Sequence, residues 1–226
     1  MKRILRGALS VVFVIGVTIA LWPLGQRAYG VWSQRSLESQ WQQTKVAKGA
    51  APKKRQKKKP KSHAHKAALE TGRSASVSIS RASSSRGSAR RKLPPTRIAI
   101  PDIQLEAVVV SGLDDKALAR GPGHDPQSAL PGEAGNCVIA GHRNVYGSWF
   151  YRVDALWAGS LIQLQTPDET HNYQVLSVQT VSESDYSVLK PPADPNTMRL
   201  TLITCTLPHS PNRLIVIADK VPDDAL

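Results

Sequence analysis

Residues 199–219 read RLTLITCTLPHSPNRLIVIAD, and this stretch holds two apolar runs separated by a short polar segment. Both runs are rich in Leu, Ile, Val and Thr and are bounded by Pro, Asn or Asp, a pattern that predicts strands over 199–205 and 212–219. Cys205 ends the first run and Arg213 opens the second. The sequence therefore places a thiol and a guanidinium at predicted strand ends, where functional groups are common.

Similar short runs continue towards the N-terminus of this region. Five of them, punctuated by Gly, Pro, Asn and Asp, predict further strands over 97–101, 106–111, 136–141, 160–166 and 171–182. Helical pieces are predicted to be short, at 114–119, 149–156 and a turn near 185–189. Many short strands with few helices indicate a mainly β fold, either an antiparallel barrel or a sandwich.

The charge of the chain is unevenly distributed. The 226 residues carry a net charge of +13, but residues 1–44 contribute +4, residues 45–92 contribute +15 and residues 93–226 contribute −6. The globular part is therefore acidic, and nucleic acid is not the expected partner. The basic segment has few large apolar residues and predicts a disordered spacer. Attraction to anionic headgroups or to an anionic wall polymer is the functional alternative.

The N-terminus carries an uncharged, mostly apolar run at residues 8–24, preceded by three basic residues. This pattern predicts an uncleaved transmembrane helix with a cytoplasmic N-terminus, and a cleaved signal peptide is the competing interpretation. Residues 33–44 could extend that helix. The predicted organisation is a membrane anchor over 1–32, a basic and largely disordered linker over 33–93, and a globular domain over 94–226.

Two residues besides Arg213 could carry chemistry. Cys205 could be a nucleophile or a buried small hydrophobe. His142 follows the run NCVIAG, and strand alternation places Cys137 on the opposite face from His142. Cys137 is therefore assigned to packing, and a Cys137–Cys205 disulfide is not expected. Arg213, taken alone, faces either solvent or a site.

Longer motifs connect these residues. The stretches that carry a family likeness are IPDIQLEAVVVSG (100–112), ALARGPGHDPQSALPGEAGNCVIAGHR (117–143), SDYSVL (184–189), LTLITC (200–205) and RLIVIA (213–218). Residues 98–221 resemble the sortase family of cysteine transpeptidases, and most closely its class D and class E members. Asn144 departs from the Asp that many relatives have after the His-Arg pair, which bears on the subclass.

The resemblance implies a closed eight-stranded β-barrel, with one more short strand near residues 121–125. It also implies a catalytic set of Cys205 as nucleophile, His142 as acid and base, and Arg213 as electrostatic partner. Thr204 is a weaker candidate for substrate binding. Neither a metal nor another cofactor is expected.

The implied function is a membrane-anchored transpeptidase with its catalytic domain outside the cytoplasm. It would cleave a C-terminal sorting signal of the Leu-Pro-x-Thr-Gly type on exported proteins and pass the acyl group to an amine of a peptidoglycan precursor or a pilin lysine. A membrane-tethered binder of anionic envelope polymers, with an inactive sortase-like domain, is the alternative. An L,D-transpeptidase is disfavoured, because that group places its Arg two residues after the Cys.

Overall fold

The computed structural model describes residues 2–49, 92–206 and 210–222, with side chains of the first helix described from residue 13 to 48. Residues 92–206 and 210–222 form eight strands, which include all seven predicted ones and a two-residue strand within the segment 121–125. Their bounds are β1 Thr96–Ile100, β2 Leu105–Ser111, β3 Gly123–His124, β4 Gly135–Ala140, β5 Leu161–Gln165, β6 Thr170–Ser182, β7 Met198–Cys205 and β8 Asn212–Lys220.

The strands close into a barrel in the order β1-β2-β3-β4-β7-β8-β6-β5, with β5 paired back onto β1. The mainly β barrel predicted from the sequence is therefore confirmed. Two of its pairings are parallel, β2 with β3 and β4 with β7, and the rest are antiparallel. The closure that the family resemblance implied is confirmed as well. The parallel pairs were not predicted, because they depend on contacts between distant segments.

The interior of the barrel is the main hydrophobic core. Alternate residues of each strand point inward, so that Leu200 and Leu202 of β7 and Cys137 and Ile139 of β4 all lie in one buried cluster. Cys137 is 1% exposed and is a free thiol, which confirms its assignment to packing. Burial raises the pKa of the Cys137 thiol far above its ordinary range, so this group is inert near neutral pH.

Helical structure after residue 92 is sparse in the described part of the chain. Helix α2 spans Asp115–Leu118, and the Asp114 side chain caps it by accepting a hydrogen bond from the Ala117 N–H at 3.0 Å. The helix expected over 149–156 is only a 3₁₀ turn at Val153–Ala155. The backbone bonds of this segment span three residues, as from the Tyr151 N–H to the Ser148 carbonyl and from the Ala155 N–H to the Arg152 carbonyl, both at 3.0 Å, so that tight turns form in place of an α-helix.

A single helix, α1, spans Lys2–Gly49. The extension of the helix over residues 33–44 that the sequence allowed is present, and residues 45–49, which were assigned to the basic linker, are helical as well. One face of the helix packs on the barrel, where Trp41 is 2% exposed. The sequence did not reveal this packed face, because several of its residues, such as Gly30, Ser33 and Gln34, are small or polar. The rest of the basic linker, residues 50–91, lies outside the described residues and stays a prediction.

The predicted membrane span does not appear in the part of the structure with described side chains. Within it, no helix combines the length and the apolar character needed to cross a bilayer. Residues 8–12 of the predicted span lie outside that part.

Candidate active site

Cys205 is the last residue of β7, and its side chain is exposed. Because Leu200 and Leu202 point into the barrel, Thr201, Ile203 and Cys205 belong to the outer face of the strand. The thiol therefore lies on the outside of the barrel, at a strand end, and not in the core. Both cysteines are free, so the thiol is available for reaction.

The end of β4 is tied to the end of β7 immediately before Cys205. The Gly141 N–H donates to the Ile203 carbonyl at 3.0 Å, and the Thr204 hydroxyl donates to the Gly141 carbonyl at 2.8 Å. His142 follows Gly141 directly, so these bonds bring the imidazole to the same end of the barrel as the thiol. Thr204 is 3% exposed, and its hydroxyl proton is used in this bond. The Thr204 side chain therefore links the end of β4 to β7.

The loop that begins at His142 is packed closely against the strand. The Phe150 N–H donates to the His142 carbonyl at 3.1 Å, and the Phe150 ring is fully buried. A Cβ atom at position 141 would lie 2.7 Å from Cδ2 of that ring. Only glycine therefore permits the Phe150 ring to cover the backbone that precedes His142.

The His142 imidazole is partly buried, and its ring centroid lies 5.3 Å from that of Tyr146 with the planes tilted by 32°. Burial lowers the pKa of His142 below its ordinary value, and the negative charge of Asp115 opposes this shift only in part. The neutral ring is therefore favoured near neutral pH, and a neutral ring can accept a proton.

Arg143 fixes the backbone around the thiol. Its guanidinium donates to the carbonyl oxygens of Cys205 and Thr206, and its Nη2 donates to Asp154 Oδ2 at 2.6 Å. The side chain thus joins the β4–β5 connection to the residue that bears the thiol. Arg143 ends the 117–143 motif, and the sequence alone predicted no role for it. Its position next to His142 was the available signal.

Arg213 lies opposite Cys205 in the β7–β8 ladder, where the two are direct partners. Its Nη2 donates to Glu183 Oε2 at 2.9 Å, and its Nη1 donates to the Asn212 carbonyl at 3.2 Å. Glu183 follows β6 directly and was missed from the sequence, because only the β6–β8 pairing brings it near Arg213. The side chain of Arg213 is one-third exposed, so part of the guanidinium can still meet a ligand.

A groove of about 460 Å³ opens beside the thiol. Its lining includes Cys205, Thr206, Arg143, Tyr151 and Asp154. Its volume falls within the range of roughly 300–1,000 Å³ that is typical of ligand sites. The structure thus places Cys205 at the end of β7, His142 just after β4 and Arg213 near the start of β8, on three adjacent strands. Of these three predicted residues, only Cys205 lines the groove.

We expect the His142 ring to titrate below the ordinary histidine value of about 6.5 in the folded chain, because burial disfavours its charged form. The measurement is an NMR titration of the ¹³C-labelled histidine Cε1–H signals in the full chain, with His142 assigned by His142→Gln. The same titration in denaturant is the control and should return the ordinary value. A folded-state pKa at or above the denatured value would contradict this prediction.

Comparison with known proteins bears on the same region. The family model described as the sortase domain matches residues 98–221, which is more than half of the chain. Among curated proteins, the chain is 27% identical to sortase A of Streptococcus agalactiae over 54% of this chain and 51% of that protein. It is 29% identical to sortase D of Bacillus subtilis over 54% of this chain and 61% of that protein. The chain thus covers only about half to three fifths of these relatives.

Solved structures agree with the sequence comparison. A Clostridium perfringens sortase D5 transpeptidase superimposes with a TM-score of 0.53 at 31% identity, covering 57% of this chain and 79% of the other. Members of the matched family are cysteine transpeptidases and are typically enzymes of the cell surface. From the family match and the shared barrel, we conclude that this chain belongs to the sortase family.

Proposed function

We propose that the chain is an active cysteine transpeptidase in which Cys205 is the nucleophile, His142 the acid and base, and Arg213 the electrostatic partner. The observation that supports this most directly is the position of Cys205, an exposed free thiol paired with Arg213 across β7 and β8 and facing a groove. Membership of the sortase family supports cleavage and transfer as the general reaction.

The proposed reaction has two acyl transfers. Cys205 Sγ, after giving its proton to His142, attacks a peptide carbonyl carbon. The C–N bond breaks as His142 returns that proton to the leaving amine, and a thioester remains on Cys205. An incoming amine then loses a proton to His142 and attacks the thioester carbonyl. A new amide bond forms, and the thiolate leaves and regains its proton from His142.

Arg213 is proposed to stabilise the oxyanion that forms in both steps. A guanidinium offers several N–H donors in a fixed plane, and such preorganised donors stabilise developing negative charge strongly. The bond to Glu183 Oε2 uses Nη2 and orients the group, while the exposed part remains available to the substrate. Thr204 stays a weaker candidate for substrate contact. Its hydroxyl proton is already donated to the Gly141 carbonyl, so such a contact would involve its other atoms.

The proposed substrates are exported proteins with a C-terminal sorting signal of the Leu-Pro-x-Thr-Gly type. The proposed acceptor is an amine of a peptidoglycan precursor or a pilin lysine. Both would meet the enzyme at the outer face of the membrane. The support for this proposal is membership of the family, whose reaction joins such partners, together with the groove beside Cys205.

Replacement of Cys205 by Ala should abolish cleavage, with a loss of about 10³-fold or more, because no other group can form the thioester. The full chain is assayed in detergent against a library of sorting-signal peptides with an amine acceptor, and the adduct on Cys205 is trapped for mass spectrometry. Cys137→Ala is the matched control and should keep cleavage, since Cys137 lies in the core. Unchanged cleavage by Cys205→Ala would refute the proposal.

Replacement of Arg213 by Lys should lower kcat/KM by about 10- to 100-fold, because the charge is kept while the planar set of donors is lost. Arg199→Lys is the matched control. Arg199 pairs with Asp219 at the opposite end of β7 and β8, at 2.8 Å, in the same kind of Arg–carboxylate contact. Equal losses in the two variants would indicate that Arg213 acts only on stability.

Membrane attachment through α1 is a further part of the proposal. Large apolar side chains of the described segment are exposed, among them Phe13 at 71%, Ile19 at 69% and Trp22 at 67%. Exposed apolar residues in such a number mark a surface that meets an apolar partner.

We therefore expect the full chain to sediment with membranes and to be released by detergent, but not by high salt. Apolar contacts persist in salt, whereas attraction between a basic segment and anionic lipids is screened. Ile19→Lys, set against Arg27→Lys as control, should weaken the attachment. Release by high salt alone would instead indicate attachment through the basic segment.

A further inference from the structure

The second half of helix α1 packs on the barrel through one stripe of residues. Gly30, Ser33, Gln34 and Trp41 are buried, whereas the residues between them on the other faces are largely exposed. A spacing of three, four and seven residues places them on one side of a helix. The stripe is mostly small or polar, so its attachment to the barrel depends on close approach and hydrogen bonds more than on apolar area.

Gln34 attaches the helix to the open edge of β2. Its Oε1 accepts from the Val108 N–H at 2.8 Å, and its Nε2 donates to the Val108 carbonyl at 2.9 Å and to the Arg120 carbonyl at 2.8 Å. Strand β3 pairs with β2 only at Val110 and Ser111, so Gln34 supplies the backbone of Val108 with the partners that a longer strand would give. Both hydrogens of the buried Gln34 amide are thus donated to backbone carbonyls, and its oxygen accepts one bond.

Trp41 fixes the helix about two turns further on. Its indole is buried, with the Arg97 guanidinium 5.5 Å from the ring centroid and the Lys45 ammonium at 4.9 Å. Arg97 also lies 3.6 Å from Glu38 Oε2 on α1. Together with Gln34, these contacts set the rotation of the helix and its position along the barrel.

At the other end of the stripe, α1 meets the loop that carries His142. A Cβ atom on Gly30 would lie 2.5 Å from the Gly147 backbone nitrogen and 3.0 Å from the Tyr146 carbonyl carbon. Helix and loop thus touch through their backbones. The loop is strained here, since Tyr146 and Ser148 have φ values of +53° and +49°. Such a conformation persists only where neighbouring structure holds it.

Tyr146 connects this contact to the imidazole, because its ring packs on that of His142 at 5.3 Å. We propose that helix α1 is a positioning element of the active site, acting through the contact of Gly30 with Gly147 to hold Tyr146 against His142. Tyr146 and Gly30 are positioning residues, since they act on His142 and not on substrate. The inference rests on the proposed role of His142, and the catalytic unit then begins near residue 30.

Gly30→Ala tests the contact in the full chain in detergent, and Gly25→Ala is the matched control. Both substitutions favour the helix by the same change of residue, but a Cβ atom on Gly25 meets nothing within 4 Å. In Gly30→Ala the loop must move and the His142 ring gains water. We expect its NMR pKa to rise towards the ordinary value of about 6.5, with no such change in Gly25→Ala.

Gln34→Glu tests the same idea without touching the loop. A carboxylate cannot donate to the Val108 and Arg120 carbonyls, so the helix should detach from β2. Gln43→Glu, at an exposed position of the same helix, adds the same charge and is the control. Gln34→Glu should raise the His142 pKa as Gly30→Ala does, while the circular dichroism of the barrel is retained.

Alkylation of the exposed Cys205 by iodoacetamide is a second measurement that needs no substrate. If α1 positions His142, the pH dependence of the rate should shift in Gly30→Ala and Gln34→Glu, because a His142 ring that gains water changes its protonation state at a higher pH. His142 signals and thiol reactivity that match the controls in either variant would overturn the inference. A failure of the proposed function would be recognised separately, because cleavage activity would then persist in Cys205→Ala or His142→Gln.

Discussion

The register of three adjacent strands is the constraint on which the rest of the site depends. Parallel pairing sets Ala140 of β4 beside Ile203 of β7, and antiparallel pairing sets Cys205 beside Arg213 of β8. A shift of one residue in either ladder would turn Cys205 into the barrel or move His142 away from it, because side chains alternate between the two faces of a strand. The apolar interior prevents such a shift, since it would expose Leu200 and Leu202.

The same alternation explains how one small barrel holds one buried thiol and one exposed thiol. Cys137 and Cys205 are similar in chemistry, yet one lies in the interior and the other at the outer end of a neighbouring strand. Burial holds the Cys137 thiol in its protonated form. The residue with the exposed thiol, by contrast, has two arginines as neighbours. The Arg143 guanidinium donates to the Cys205 backbone carbonyl, and Arg213 is paired with Cys205 across β7 and β8. Position in the barrel, not residue type, separates the two roles.

The groups around the thiol are held by contacts between segments far apart in the chain. Arg143 reaches the Cys205 backbone across 62 residues, and Glu183 meets Arg213 across 30. The His142 loop, with its two residues at positive φ, is packed between Phe150 on one side and helix α1 on the other. The site thus consists of strand ends that are fixed by the barrel and a loop that is fixed by its neighbours.

The sequence by itself determined the strands, the mainly β class and the separation of Cys137 from His142, because these follow from local alternation and turn residues. It also placed Cys205 and Arg213 at strand ends, and its motifs identified the family. Only the tertiary structure decided the two parallel strand pairings, the pairing of Cys205 with Arg213, and the contacts of Arg143, Glu183 and Tyr146. It also showed that the second half of α1 packs on the barrel, through residues such as Gln34 and Trp41. The physical reason is that a polar or glycine-rich contact surface, such as Gly30 and Gln34, has no apolar periodicity and becomes visible only when its partner backbone lies opposite.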